Sequence, residues 1–466
     1  MRDIRLTHLV LFLLFLIMEI GLFAQNKQVS EIRLMGNKRT KASVILREIT
    51  VKEGDMLTDE QLADELTKSK DNLLNTSLFN YVYLETEQPE GDNTSVIVML
   101  KVEERWYIWP IFEVKLEDRN MSAWLKDPSW EKITYTGGLA INNLRGRRES
   151  LRITGRWGYE RSASLLYQNI ALDENQKHFL STFFSYETFR NAAYVINHNE
   201  VLYAHSDKHS LYEKYDAYVS YVYRPKLREY SRVNLGFTSI NIKDTILKLN
   251  PEYWNSTRTR RNFIKLNYSY RVDHRDSYIY PLEGSLFSAI AETEIAIDGD
   301  SYVFAISPEY QQHIRFSERW GYALYAAAKV SLVNANSHIH NQSLGYFNKL
   351  LRGYEYYVIE GQHYALVQNN FKFTLLPTKV VTLNFLSSLS KFNKIHFTFY
   401  LNSFFDAGYV YNRYKTVDNS FQNKLLYSGG IGLDLVTYYD VTLRVDYAIN
   451  KQGERGFYFY ITAPFM

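Results

Sequence analysis

Arg352-Gly353-Tyr354 lies between two stretches in which apolar and polar residues alternate. On a loop folded into a protein interior, this arginine would be a poorly solvated cation, and such a cation persists only beside carboxylates. Three aspartates fall on the polar phase of later alternating runs: Asp406 in Phe404-Phe405-Asp406-Ala407-Gly408, then Asp434 and Asp446. The chemistry on offer is charge pairing rather than bond making. Metal binding is poorly supported, because the spacing of His205 and His209 suits a ligand pair only on a helix and their neighbours read as a loop. His338 and His340 share one side of a strand or sit in a polar loop, with no carboxylate nearby in sequence, and are expected to be solvated. No Gly-x-Ser-x-Gly occurs, so the nucleophile elbow of a serine hydrolase is missing. With Cys 0, thiol catalysis, disulfides and thiolate zinc sites drop out as well. The residues therefore predict no enzyme, no metal and no cofactor.

The elements that must position these groups begin after a leader. Arg2 and Arg5 precede an apolar run from Leu9 to Leu22, and Phe23-Ala24 offers a cleavage point. Residues 1–25 read as a signal peptide, the run being short for a span of about 20 residues. No later stretch reaches about 18 continuous apolar residues, which excludes further helical spans. Yet the chain carries 39 Tyr and 27 Phe, a composition that permits a membrane barrel, because only every second residue of a barrel strand faces lipid. A net charge of +3 gives no argument for nucleic acid.

Residues 26–104 have a mixed pattern. Val29-Ser30-Glu31-Ile32-Arg33-Leu34 alternates as a strand and Gly36-Asn37 turns it. A helix is expected from Lys41 to Arg47, and a second from Thr58 to Asn75, with Thr58 and Gln61 as a capping box. Strands Phe79 to Leu84 and Ser95 to Val102 follow, separated by Pro89-Glu90-Gly91-Asp92-Asn93.

From residue 105 to 466 the helical period disappears. Ile264, Leu266, Tyr268, Tyr270 and Val272 alternate with Lys265, Asn267, Ser269, Arg271 and Asp273, and Ile395 to Gly408 behaves similarly. A soluble sandwich would alternate in the same way, but the stretch is too long for one sandwich, whereas about 16 tilted strands with long loops would use it up. Trp106, Tyr107 and Trp109 suit an interfacial belt or a core.

Several features resemble the BamA/TamA superfamily, outer-membrane barrels that insert proteins into a bacterial outer membrane or move them across it. Arg352-Gly353-Tyr354 is similar to the motif of that family's sixth loop. The order strand, helix, helix, strand, strand, with Glu53-Gly54-Asp55 and Ser77-Leu78-Phe79, looks like a POTRA domain. Tyr107 to Glu117 resembles the first barrel strand, with Asp118-Arg119-Asn120 as its turn; Asn143-Leu144-Arg145-Gly146 resembles the turn before the third. Asp273-His274-Arg275-Asp276, with Pro281 and Gly284, resembles a mid-barrel turn. Phe457, Phe459, Ile461 and Phe465 resemble a terminal sorting strand, although Met466 stands last and Pro464 would interrupt pairing.

The resemblance implies a mainly β fold: a small α+β POTRA-like domain followed by a transmembrane antiparallel β-barrel. It implies that Arg352 pairs with Asp406, with Asp434 and Asp446 able to share it, and that Gly353 and Tyr354 complete a loop lock. A lateral seam would run between Tyr107 and Trp109 on one side and Phe457, Phe459 and Phe465 on the other. Arg145-Gly146-Arg147-Arg148 is either a basic turn or a contact for lipid phosphate. The implied function is outer-membrane protein assembly, with a passive channel or a secretion pore for a dedicated partner as alternatives. The implied partners are outer-membrane lipids, unfolded or extended client proteins, and periplasmic or lipoprotein accessory subunits, but no nucleic acid. The POTRA-like domain would lie in the periplasm.

Overall fold

The computed structural model describes residues 26–92, 94–116, 128, 130, 133–206, 208–254, 256–299, 301–334, 337–346, 349–384, 394–414, 418–437 and 441–461. The expected signal peptide, the turn Asp118-Arg119-Asn120, Pro464 and Phe465 lie outside the described residues. The chain divides into two compact units, Met1–Arg105 and Trp106–Met466.

In the first unit, helices α1 (Ala42–Glu48) and α2 (Asp59–Asn75) accompany a four-stranded sheet. Its strands run in the order Met56–Leu57, Lys27–Met35, Ser95–Glu104, Phe79–Glu87, and the central pair is parallel. Thr58 Oγ1 accepts from the Gln61 amide and the Gln61 side chain accepts from the Thr58 amide, so the capping box forms. Leu62 and Leu66 of α2 pack on Val29, Val96 and Val98, which makes the apolar face of the helix the lid of the sheet. Phe79–Glu87 ends the sheet and leaves one row of backbone groups at an edge.

The second unit is dominated by a 16-stranded sheet in which neighbours pair antiparallel in chain order, from Ile108–Leu116 to Arg455–Ile461. Its outward residues are apolar: Ile264, Leu266 and Tyr268 are 49%, 48% and 47% exposed, whereas the intervening phase carries the buried Arg261 and Asp273. Apolar side chains left exposed at period two fit a lipid-facing barrel wall and not a sandwich. No helix among the described residues is long and apolar enough to cross a membrane. No ladder among the described residues joins the first strand of the sheet to the last.

Two local features decide or correct the sequence reading. Of the belt and the core open to them, Tyr107 and Trp109 take the core, because the outward residues of the first strand are Ile108, Phe112 and Val114; Tyr107 is buried and Trp109 half-buried, on the inward phase with Ala140. Helical structure also returns after Arg105, as α3 (Asp244–Leu249), in the loop between Glu229–Ile242 and Arg260–Asp273. Too short to show a period, it is held by tertiary packing of Ile246 with Trp254, Phe263 and the hairpin Asn191–Asn197/Glu200–His205.

Candidate functional site

The loop joining Trp320–Val333 to His363–Thr382 carries Arg352, and it folds against the inner wall of the strands that follow it. Arg352 is fully buried. Its Nε and Nη2 donate to the two oxygens of Asp406 at 2.7 and 2.5 Å, and Nη1 donates to Asn370 Oδ1 at 2.7 Å. The guanidinium also lies 3.9 Å from the Phe404 ring centroid. This is the forked geometry that a planar guanidinium provides and an ammonium does not. Gln368 closes the arrangement, donating to Asp406 at 2.9 Å and to the Leu350 carbonyl at 3.1 Å.

The next two residues anchor the loop further along the wall. Gly353 has φ +82°, and a Cβ there would come within 3.1 Å of Ser428 Cβ, so both its conformation and its close approach call for glycine. Its carbonyl accepts from Asn450 Nδ2 at 2.9 Å. Tyr354 is buried with Leu351, Val410 and Leu426, and its hydroxyl donates to Gln452 Oε1 at 2.8 Å. Glu355, which no sequence pattern singles out, accepts from the Gly353 amide at 3.0 Å and from the Tyr460 hydroxyl. Tyr460 stands on Arg455–Ile461, so one short loop segment touches every strand from His363–Thr382 to the end of the sheet.

The other two aspartates take different partners. Asp434 receives a fork from Arg444 Nε and Nη2 at 2.5 and 2.6 Å and a bond from Asn402 at 3.0 Å. Asp446 faces Gly432 across the ladder, and neither of its carboxylate oxygens has a hydrogen-bond partner among the described residues. The expected sharing of Arg352 by three acids therefore reduces to one acid. Position on the inward phase is readable in sequence for these acids and equally for Arg444, which lies two residues before Asp446 on the same face and competes for Asp434.

The expected seam aromatics separate. Phe457, Phe459 and Ile461 point outward, 63%, 42% and 68% exposed, whereas Tyr107 and Trp109 belong to the inward phase. His338 and His340 are not solvated: His338 Nδ1 meets Glu360 at 2.5 Å and His340 Nε2 meets Glu294 at 3.1 Å, with both rings largely buried. Each finds a carboxylate that lies on another part of the chain. His205 meets Asn191 Oδ1 at 2.5 Å across its hairpin. In the turn before the third strand, Arg145 forks onto Glu149 at 2.8 and 2.7 Å.

Comparison with known proteins agrees with this architecture. The Omp85 superfamily domain matches residues 143–465, and the POTRA family, described as surface antigen variable number repeat, matches 28–105. The outer membrane protein assembly factor BamA of Neorickettsia risticii is 26% identical over 264 residues, covering 55% of this chain and 31% of the relative. The chain thus matches about a third of that relative's length. A solved BamA from Haemophilus ducreyi lacking POTRA domains 1–3 aligns at TM-score 0.51 and 16% identity, over 93% of this chain and 83% of that one. CdiB from Escherichia coli aligns at TM-score 0.55 and 12% identity, over 94% and 75%. These two likenesses describe the fold.

Proposed function

Because the chain belongs to the Omp85 superfamily, an outer-membrane barrel with a periplasmic POTRA domain, we propose that it inserts or translocates client proteins at the bacterial outer membrane. Residues 1–25 serve as the export signal, 26–104 as the POTRA-like module and 105–466 as the barrel. The observation that carries the reading is the lumen loop, buried through Arg352 and Asp406 on the wall that ends in Arg455–Ile461, the last strand, which has no ladder to the first among the described residues. A loop held this way fixes the wall beside a seam without a ladder among the described residues, and such a seam can admit a strand.

In this mechanism an extended client adds to the exposed edge of Phe79–Glu87. The Arg352 loop keeps the lumen closed, and the strands Ile108–Leu116 and Arg455–Ile461 part to template the client. The work is conformational rather than enzymatic. Client folding supplies the driving force, since no nucleotide reaches such a site. Clients, lipids and accessory subunits are partners on this reading.

Reconstitution in liposomes tests it. The chain lacking its signal should accelerate folding of a urea-unfolded barrel client into the vesicles while passing little current. Steady conductance without acceleration would replace this reading with the passive channel. Export of one dedicated partner, with no general acceleration, would replace it with the secretion pore.

A further inference from the structure

Asp434 is also held from across the lumen. Besides Arg444 and Asn402 on the flanking strands, its carboxylate accepts from the Tyr280 hydroxyl at 2.6 Å. Tyr280 belongs to the turn between Arg260–Asp273 and Gly284–Ala296, the eighth and ninth strands of the sheet, while Asp434 is on the fourteenth. The bond therefore spans the interior instead of following the wall.

Three more contacts place the same turn on the same wall. The Tyr280 ring stacks on Tyr400 with centroids 4.5 Å apart, and Lys372 Nζ lies 4.1 Å from the Tyr280 centroid. Lys372 also donates to the Pro281 carbonyl at 3.1 Å. The base of the turn is pinned on its own side, where Arg275 forks onto Asp273 at 2.8 Å through both nitrogens and reaches Gln311 at 3.1 Å. Tyr280, Lys372 and Asp434 are all buried. Since successive strands alternate in direction, this turn enters from the end opposite the Arg352 loop.

We propose that the segment Ser277–Leu282 is a second lumen tether, which ties the mid-barrel turn to Lys394–Tyr411 and Leu425–Thr437 through Tyr280 on Asp434 and closes the barrel from the end opposite the Arg352 loop. The Arg444 fork meets the charge of Asp434, and Tyr280 adds an uncharged donor. Losing that hydroxyl strands no charge, so the turn can detach while the wall stays folded. Closure from both ends places two barriers in series, and releasing one leaves the other in place. The proposal stands whether or not the barrel inserts clients.

With Cys 0 in the chain, a single Ile279→Cys at the half-buried tip of the turn reports its release to a membrane-impermeant maleimide in proteoliposomes. Only the folded fraction, resolved by heat-dependent gel mobility, is scored. Added Tyr280→Phe should speed labelling about tenfold. Lys372→Met, which removes the Pro281 contact, should also speed it, and Arg352→Ala should not. Should Tyr280→Phe fail to fold, Lys372→Met carries the same comparison. Parental rates in both turn variants, or equal acceleration by Arg352→Ala, would overturn the tether. Conductance checks the series arrangement without the cysteine: Tyr280→Phe and Arg352→Ala should each stay near wild type, and their combination should exceed the sum. A single variant as conductive as the double would overturn it.

Discussion

Arg352 is fully buried, and its charge is met by two parallel bonds to an equally buried Asp406. Removing one partner of such a pair strands the other charge, at a cost of about 3–5 kcal/mol. Arg352→Ala should therefore lower the barrel's resistance to urea by an amount of that order and open Leu350–Val358 to protease in intact vesicles. Asp406→Ala should do the same. The double variant should cost clearly less than the sum of the two, because the second substitution removes a charge already stranded; simple additivity would show that the residues act apart. Arg352→Lys should fall between wild type and alanine, since a compact ammonium cannot serve both Asp406 oxygens and Asn370 together. Gln368 and Asn370 stand on the inward phase of their strand, so periodicity could have found them. Glu355 gave no such signal, because its role depends on a loop turning back toward Tyr460.

In the first unit, the box at the start of α2 satisfies two amides that would otherwise lack partners. Thr58→Ala should cost about 1 kcal/mol, read as faster hydrogen exchange in the first turn of the helix. The turn before Ser95–Glu104 carries a separate pH signature. Hydrogen bonds from the Ser95 and Thr94 hydroxyls to Asp92 hold its carboxyl down from 3.8 to about 2. A depressed carboxyl stabilises the fold above its ordinary range and loses that contribution as pH falls through its folded value. Protection of the Thr94 amide, which donates to Asp92 Oδ1 at 2.8 Å, should therefore persist at pH 3.8 and fade toward about 2; Asp92→Asn should remove this dependence. The strands themselves were legible in sequence, because lipid on one side and a polar lumen on the other enforce period two. Helix α3 was not, since a six-residue helix has too few turns to declare a face. The ion pairs of His338 and His340 are hidden in sequence for a related reason: Glu360 and Glu294 reach them through tertiary folding, which local polarity does not report.

For the whole molecule, two opposite demands meet in one wall. The strands after the Arg352 loop must be held firmly enough to keep the barrel shut, yet Arg455–Ile461 has no ladder to Ile108–Leu116 among the described residues. Inward aspartates resolve this, since they fix the wall from inside the lumen without drawing on the backbone groups at its last edge. Sequence revealed one half of that arrangement, an arginine loop paired with an inward acid. The contact between Tyr280 and Asp434, separated by 154 residues, is a product of barrel closure and has no local pattern. The POTRA-like unit ends its sheet at Phe79–Glu87, which has no further strand laddered to its outer side among the described residues. If clients arrive as extended strands, that edge supplies backbone hydrogen bonds irrespective of client sequence, while the barrel alone supplies only a seam. Deleting residues 26–103 should then abolish acceleration of client folding in liposomes while the barrel keeps its heat-dependent gel mobility. Introducing proline at the exposed Thr86, within the edge strand, tests the same idea with the module retained. Its amide faces the open edge, because its partner Val98 turns its own backbone groups to Lys27–Met35; client folding should slow with no change in barrel stability, since proline removes a donor needed only by an added strand. Undiminished acceleration after the deletion would place client recognition in the barrel itself.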